Sequence, residues 1–250
     1  MALEAPARIV LVVTGAFVRV SVVIPTHNEE QAIGRVLAEI PDFVTEVIVV
    51  DSNSTDATRE IAAQHGARVI CESRRGYGRA CLTGLASADR PDVVAFLDGD
   101  YSDRPAELPT ILAPIAQGIA DIVFGSRMKS AKVTRAMPWH QISGNRLAAW
   151  LIRALFGVQI NDLGPFRAAR YDVLHTLALR EPTYGWAVEM ILKGATNGFR
   201  IAEVPVSYFP RIGQSKISGT LRGTVGAMWF ILTLILSYSF RRRRASTQPA

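Results

Sequence analysis

VRVSVVIPTHNEEQAIGRVLAEIPDFVTEVIVVD, residues 18–51, contains one complete strand-helix-strand unit. Residues 18–24 form an apolar run that stops at Pro25, the pattern of a strand covered on both faces. Asn28 then opens a helix, with Gln31 three residues on where a capping box wants it. Ile33, Val36, Leu37 and Ile40 share one face of that helix. Residues 47–50 are the next apolar strand, and Asp51 ends it.

Downstream the rhythm repeats. Ser54 or Thr55 is placed to cap a second helix, which Gly66 closes. Residues 67–71 read as a strand, 77–88 as a helix and 93–97 as a strand. Pro105 starts another helix, Gly118 ends it, and 121–124 make one more strand. The alternation predicts an α/β fold with a mostly parallel central sheet flanked by helices on both faces. Such sheets bind ligands at the carboxyl ends of their strands. Three polar clusters stand there: residues 25–29 (Pro-Thr-His-Asn-Glu), 51–54 (Asp-Ser-Asn-Ser) and 98–100 (Asp-Gly-Asp).

Asp98 and Asp100, one residue apart after a buried strand, can hold a hard divalent cation, Mg²⁺ or Mn²⁺, with Ser102 or Asp103 adding a contact. An Asp-Gly pair is also common in plain turns, so the motif gains weight from its neighbours. Those are VVIPTHNEE (22–30), VDSNSTD (50–56), RGYGRA (75–80) and DGD (98–100), in that order.

With these motifs the sequence resembles family 2 glycosyltransferases, and within them the dolichyl- and polyprenyl-phosphate mannose and glucose synthases. The likeness covers roughly residues 19–219. It implies the GT-A fold and an inverting transfer from a nucleotide-sugar donor. It implies donor contacts from Pro25, Thr26, Asn28, Glu29, Asp51, Gly76 and Gly78, and from Asp98, Arg211, Ser215 and Lys216 around the diphosphate. Asp98 and Asp100 would be the metal ligands. Arg127, Asp162 and Arg167 would face the acceptor, and Glu189 occupies an acidic position of the next matching segment. Asp98, Asp100, Arg127, Glu189 and Lys216 are the residues expected to carry catalysis. Ser52 and Asn53 depart from the family's frequent Asp and Gly, which leaves the base, uracil or guanine, open. A polyprenyl phosphate acceptor is already anionic and needs no base; a hydroxyl acceptor would call on Glu189 or Asp162.

The remaining features place the chain in the cell. Of 250 residues 49% are hydrophobic and 20% charged, with a formal net charge of +6; this suits a folded, basic domain. No zinc-finger spacing or basic helix with interleaved aromatics points to nucleic acid. Two cysteines, Cys71 and Cys81, make neither a disulfide framework nor a metal cluster. Residues 223–240 carry no charge, and Arg241 to Arg244 follow. That stretch is at the short edge of a spanning helix, and a crossing would put four arginines outside. The expected arrangement is an N-terminal extension (1–18), a GT-A domain (19–219), an apolar membrane-associated helix with a basic end (220–244) and a tail (245–250). The helix would lie on an anionic membrane surface at the cytoplasmic face, in peripheral or monotopic fashion. A soluble hydroxyl acceptor is the alternative reading, and a non-catalytic nucleotide-sugar-binding module is a third.

Overall fold

The computed structural model describes residues 12–13, 16–129, 139–213 and 221–247. Within the expected N-terminal extension, β1 (Val12–Val13) and β2 (Ala16–Phe17) pair antiparallel. The domain follows with β3 (Val20–Thr26), α1 (Ile33–Ala38), β4 (Glu46–Asp51), α2 (Thr58–Gln64), β5 (Arg68–Cys71), α3 (Tyr77–Ser87) and β6 (Val93–Phe96). Next come α4 (Leu108–Ala116), β7 (Ile122–Ser126), α5 (Trp139–Phe156), β8 (Arg167–Arg170), α6 (Tyr171–Leu177), α7 (Trp186–Thr196), β9 (Ile201–Pro205) and α8 (Leu221–Thr247).

Seven strands form one sheet in the order β5-β4-β3-β6-β8-β7-β9. All neighbours are parallel except β8, which runs antiparallel to both β6 and β7. The period of two divides the core into two layers. Val23, Phe96 and Phe124 point to the side covered by α3, α5 and α7; Val22, Ile24 and Val123 point to the side covered by α1 and α4.

Two helix starts differ from the sequence expectation. Helix α1 begins at Ile33 and α2 at Thr58, and neither has a side-chain cap. Asn28 lies at φ 55° instead. Its backbone N–H donates to Ser54 Oγ and its Oδ1 accepts from Thr55 N–H, both at 2.8 Å. The capping chemistry read for two helices is spent on tying the two loops together.

The apolar C-terminal segment is a 27-residue helix packed on the domain. Met228 of α8 meets Gly144 of α5, Phe230 meets Gly185, and Ile235 is fully buried. The opposite side of α8 keeps Trp229, Leu236 and Phe240 exposed, at 71, 43 and 64%. Among the described residues no helix is long and apolar enough to cross a membrane.

Candidate active site

Strands β3, β4 and β6 are adjacent, so their carboxyl ends open into one crevice. Thr26 at the end of β3 is opposite Asp51 at the end of β4. Across β6, a Cβ on Gly99 would stand 2.8 Å from Thr26 Cγ2. That contact is the physical reason for glycine between the two aspartates: any side chain would push the turn off β3.

At the β4 end, Asp51 is fully buried and accepts from the backbone N–H of Ser54 at 3.0 Å and from its hydroxyl. Ser54 in turn holds Asn28, and Thr58 Oγ1 holds the N–H of Glu29 at 2.8 Å. Asn53 sits at φ 58°, the left-handed region that glycine favours and asparagine tolerates. Its amide donates to Ser73 O at 2.6 Å. The departure from the family pattern is therefore accommodated in the backbone. Pro25 keeps its place in β3, and a Cβ on Gly213 would stand 3.9 Å from Glu29 Oε2.

Gly76 and Gly78, expected to line the nucleotide pocket, have a second reason to be glycine. A Cβ at either would come within 2.3 Å of a backbone carbonyl, Pro182 O for Gly76 and Glu181 O for Gly78. The N–H groups of Gly78 and Arg79 donate to Thr183 O and Pro182 O at 3.0 and 2.9 Å. The start of α3 is thus sewn to residues 181–183.

The acidic centre lies after β6. Asp98 Oδ1 is buried and has no hydrogen-bond partner among the described residues. Burial, with the Asp100 charge added, pushes its carboxyl up to about 7. Asp100 accepts from Ser102 N–H at 2.9 Å through Oδ1 and pairs with Arg211 through Oδ2. Asp103 is 1% exposed, both its oxygens lack partners among the described residues, and burial beside Asp98 raises its carboxyl well above the usual range. Segment 206–212 runs beside this turn: Phe209 N–H donates to Ser102 O and Ile212 N–H to Asp100 O, both at 3.0 Å. No three His, Cys, Asp or Glu side chains among the described residues form a ready ligand set. The buried oxygens without donors are Asp98 Oδ1 and both of Asp103, while those of Asp100 are held by Ser102 and Arg211; with Arg211 released, Asp100 and Asp98 would suit a Mg²⁺-like ion that completes its shell with water and phosphate.

The residues expected on the acceptor side are largely engaged with other side chains. Arg127 gives its N–H, Nε and Nη2 to Asp162 at 2.8, 2.9 and 2.8 Å, a bidentate pair in which Asp162 is fully buried. Burial would raise the Asp162 carboxyl, but Arg127 and Asn145 outweigh it and hold it below the usual range. Asp162 is therefore a poor base, and most of the Arg127 fork is occupied. Arg167 is not open to an acceptor at all. It is 1% exposed, donates to Tyr77 OH at 2.8 Å and has its guanidinium 4.8 Å from the Trp186 ring. Its charge acts on Asp98 through that buried box.

Glu189 is held by four donors. Oε2 accepts from the N–H groups of Arg180 and Glu181, both at 2.8 Å, while Oε1 meets Lys193 at 2.9 Å and Tyr238 OH at 3.2 Å. Burial would raise its pKa, but these donors lower it. It ties α7, the 180–183 loop and α8 together. Ser215 and Lys216 lie outside the described residues. Sequence reading missed Tyr77, whose signal was its place between the two glycines, and Asp103 was named only as an added contact.

The comparisons with known proteins agree with this fold. Residues 21–177 match the family model "Glycosyl transferase family 2". The chain belongs to family 2 of the glycosyltransferases. It is 40% identical over 201 residues to a dolichyl-phosphate hexose transferase of Haloferax volcanii, covering 79% of this chain and 86% of that one. It is 32% identical over 220 residues to the polyprenol monophosphomannose synthase of Mycolicibacterium smegmatis, covering 81 and 82%. Among solved structures, glucosyl-3-phosphoglycerate synthase from Mycobacterium tuberculosis, in complex with Mn²⁺, UDP and phosphoglyceric acid, superposes with a TM-score of 0.70. It is 26% identical and covers 89% of this chain and 78% of that one. The GT-A-like α/β fold and the glycosyltransferase class follow from these matches together with the seven-stranded mixed sheet.

Proposed function

We propose that this glycosyltransferase moves a sugar from a UDP- or GDP-sugar to a polyprenyl phosphate at the cytoplasmic face of the membrane. The observation that carries the lipid reading is α8: one side packed on the domain through Met228, Phe230 and Ile235, the other presenting Trp229, Leu236 and Phe240 just before the arginines. A helix with an apolar outer stripe and a basic end suits the membrane interface, where a lipid acceptor resides. The relatives named for dolichyl and polyprenol phosphates support it.

In this reading Thr26, Asn28, Glu29 and Asp51 shape the nucleoside end of the crevice. Asp98 and Asp100 would hold Mg²⁺ or Mn²⁺, an ion that would neutralise the charge on the departing nucleoside diphosphate. Arg211, with Ser215 and Lys216 following it, would close over that diphosphate and exclude water. The acceptor oxygen forms its bond to the anomeric carbon as the bond to the donor phosphate breaks, with inversion. A phosphate acceptor enters this step already ionised. That suits a site in which Glu189 and Asp162 are both engaged by donors and held in low-pKa states. Arg127, steadied by Asp162, would lie toward the acceptor.

The decisive experiment incubates the chain and membranes with Mg²⁺ or Mn²⁺ and labelled UDP- and GDP-sugars, then extracts with organic solvent. Label in the organic phase that mild acid releases supports the lipid reading. Label left in water while donor is consumed would favour a soluble acceptor, the reading suggested by the phosphoglyceric acid in the similar solved structure.

A further inference from the structure

A cavity of about 380 Å³ lies on α5, lined in part by Met128, Arg146, Trp150, Arg153, Ile160 and Asn161. We propose that it holds the headgroup of an anionic phospholipid, a second lipid site separate from the acceptor's. This inference rests on the membrane reading given above.

Arg146, Trp150 and Arg153 are spaced by four and three residues, so they share one face of α5. All three are exposed, Trp150 at 61%. Two guanidiniums on one helix face, lining one cavity, favour an anion such as a phosphate. Among the described residues neither is ion-paired with a carboxylate, and Arg153 donates only to the Asn161 amide oxygen at 3.2 Å. The other walls are Met128, Ile160 and an indole, which favour the glycerol and first methylenes of a lipid over a bare ion. An exposed tryptophan beside arginines is also the arrangement that settles at the polar boundary of a bilayer. Leu147, 42% exposed on the same helix, extends the apolar surface.

The lining excludes the reacting phosphate. None of the lining residues belongs to the crevice of Asp98, Asp100 and Arg211. Met128 and Asn161 adjoin Arg127 and Asp162 in the chain, but neither Arg127 nor Asp162 lines the cavity. An anion in the cavity is therefore held beside the site, not in it. It would fix how the domain sits on the membrane.

The test uses the full chain and dihexanoyl-phosphatidylglycerol below its micelle concentration, followed by tryptophan fluorescence and calorimetry. Saturable binding is expected, with at least tenfold weaker binding of dihexanoyl-phosphatidylcholine. Arg146→Ala/Arg153→Ala should weaken phosphatidylglycerol binding at least tenfold, leaving UDP or GDP binding unchanged. Trp150→Phe should remove the fluorescence response. Equal affinity in wild type and the double variant would overturn the proposal. So would inorganic phosphate competing at the lipid's own concentration, which would make this an ion site, or a tenfold preference for farnesyl phosphate, which would give the cavity to the acceptor. Sedimentation with phosphatidylglycerol vesicles separates the two readings. Binding of the monomeric lipid without vesicle binding would remove the membrane role of α8 and leave the cavity's ligand in place.

Discussion

Arg211 and Asp100 are joined twice, by an ion pair between their side chains and by the next residue's N–H, Ile212 to Asp100 O at 3.0 Å. The loop that carries Arg211 is thus registered on the turn that carries the proposed metal ligands. A divalent ion and a diphosphate would compete with Arg211 for Asp100 and offer it phosphate oxygens in return. Arg211→Ala should lower kcat by about 10²-fold, the size expected for one charged group acting on developing charge. Mn²⁺ binding without donor should hold or tighten, as measured by electron paramagnetic resonance. Loss of Mn²⁺ affinity would mean that Arg211 instead keeps the turn folded.

The raised carboxyl of Asp98 makes metal binding depend on pH. Burial comes first among the causes and the Asp100 charge second, lifting it to about 7. A cation binds the ionised form, so a proton must leave below that pH. Apparent Mn²⁺ affinity should be level above about pH 8 and fall toward tenfold per pH unit below about 6. Asp98→Asn should bind weakly and flatten the profile, while circular dichroism stays unchanged. A wild-type profile that is flat from pH 5.5 to 8.5 would rule out Asp98 as the titrating ligand.

The sheet and the crevice were legible because buried parallel strands write themselves as apolar runs, each ending in a polar cluster. Residues 20–26, 46–51 and 93–96 stand where the pattern put them. Strand β8 was not legible. Arg-Ala-Ala-Arg has no β-branched residue, and its strand state comes from lying between β6 and β7. With it went Arg167: the pattern Gly-Pro-Phe-Arg reads as an open turn, whereas pairing opposite Phe96 and Phe124 buries the guanidinium. The roles of Asn28 and Ser54 were misread for a similar reason, since their side chains bridge two loops distant in sequence, and local capping rules see only one.

The Arg127–Asp162 pair should be a stability element. Asp162 is fully buried and also accepts from Asn145. Asp162→Ala leaves a buried guanidinium and should cost about 3–5 kcal/mol in chemical unfolding. The folded Asp162 pKa is depressed, so this stabilisation is complete above the unfolded value near 3.8 and is lost as pH falls through the lower folded value. The difference between wild type and Asp162→Ala should therefore be constant from pH 5 to 8 and shrink only in stronger acid. A difference that grows between pH 5 and 8 would contradict the depressed value.

Glu189 offers the sharpest separation between a base and an anchor. As a base for a hydroxyl acceptor it would be worth about 10²–10⁴ in rate, and Glu189→Gln would remove that factor with a changed pH–rate profile. As an anchor it loses a charge-assisted set: the amide oxygen of glutamine can still accept the N–H groups of Arg180 and Glu181, but the pair with Lys193 goes. Hydrogen bonds to charged groups contribute about 2 kcal/mol, which in a chain of this size lowers Tm by roughly 4–8 °C. The geometry supports the anchor. Glu189→Gln should keep kcat within about tenfold of wild type at a temperature where both are folded, with the pH profile unmoved and Tm lowered. A thousandfold loss of kcat at unchanged Tm would restore Glu189 as the base and, with it, the hydroxyl acceptor.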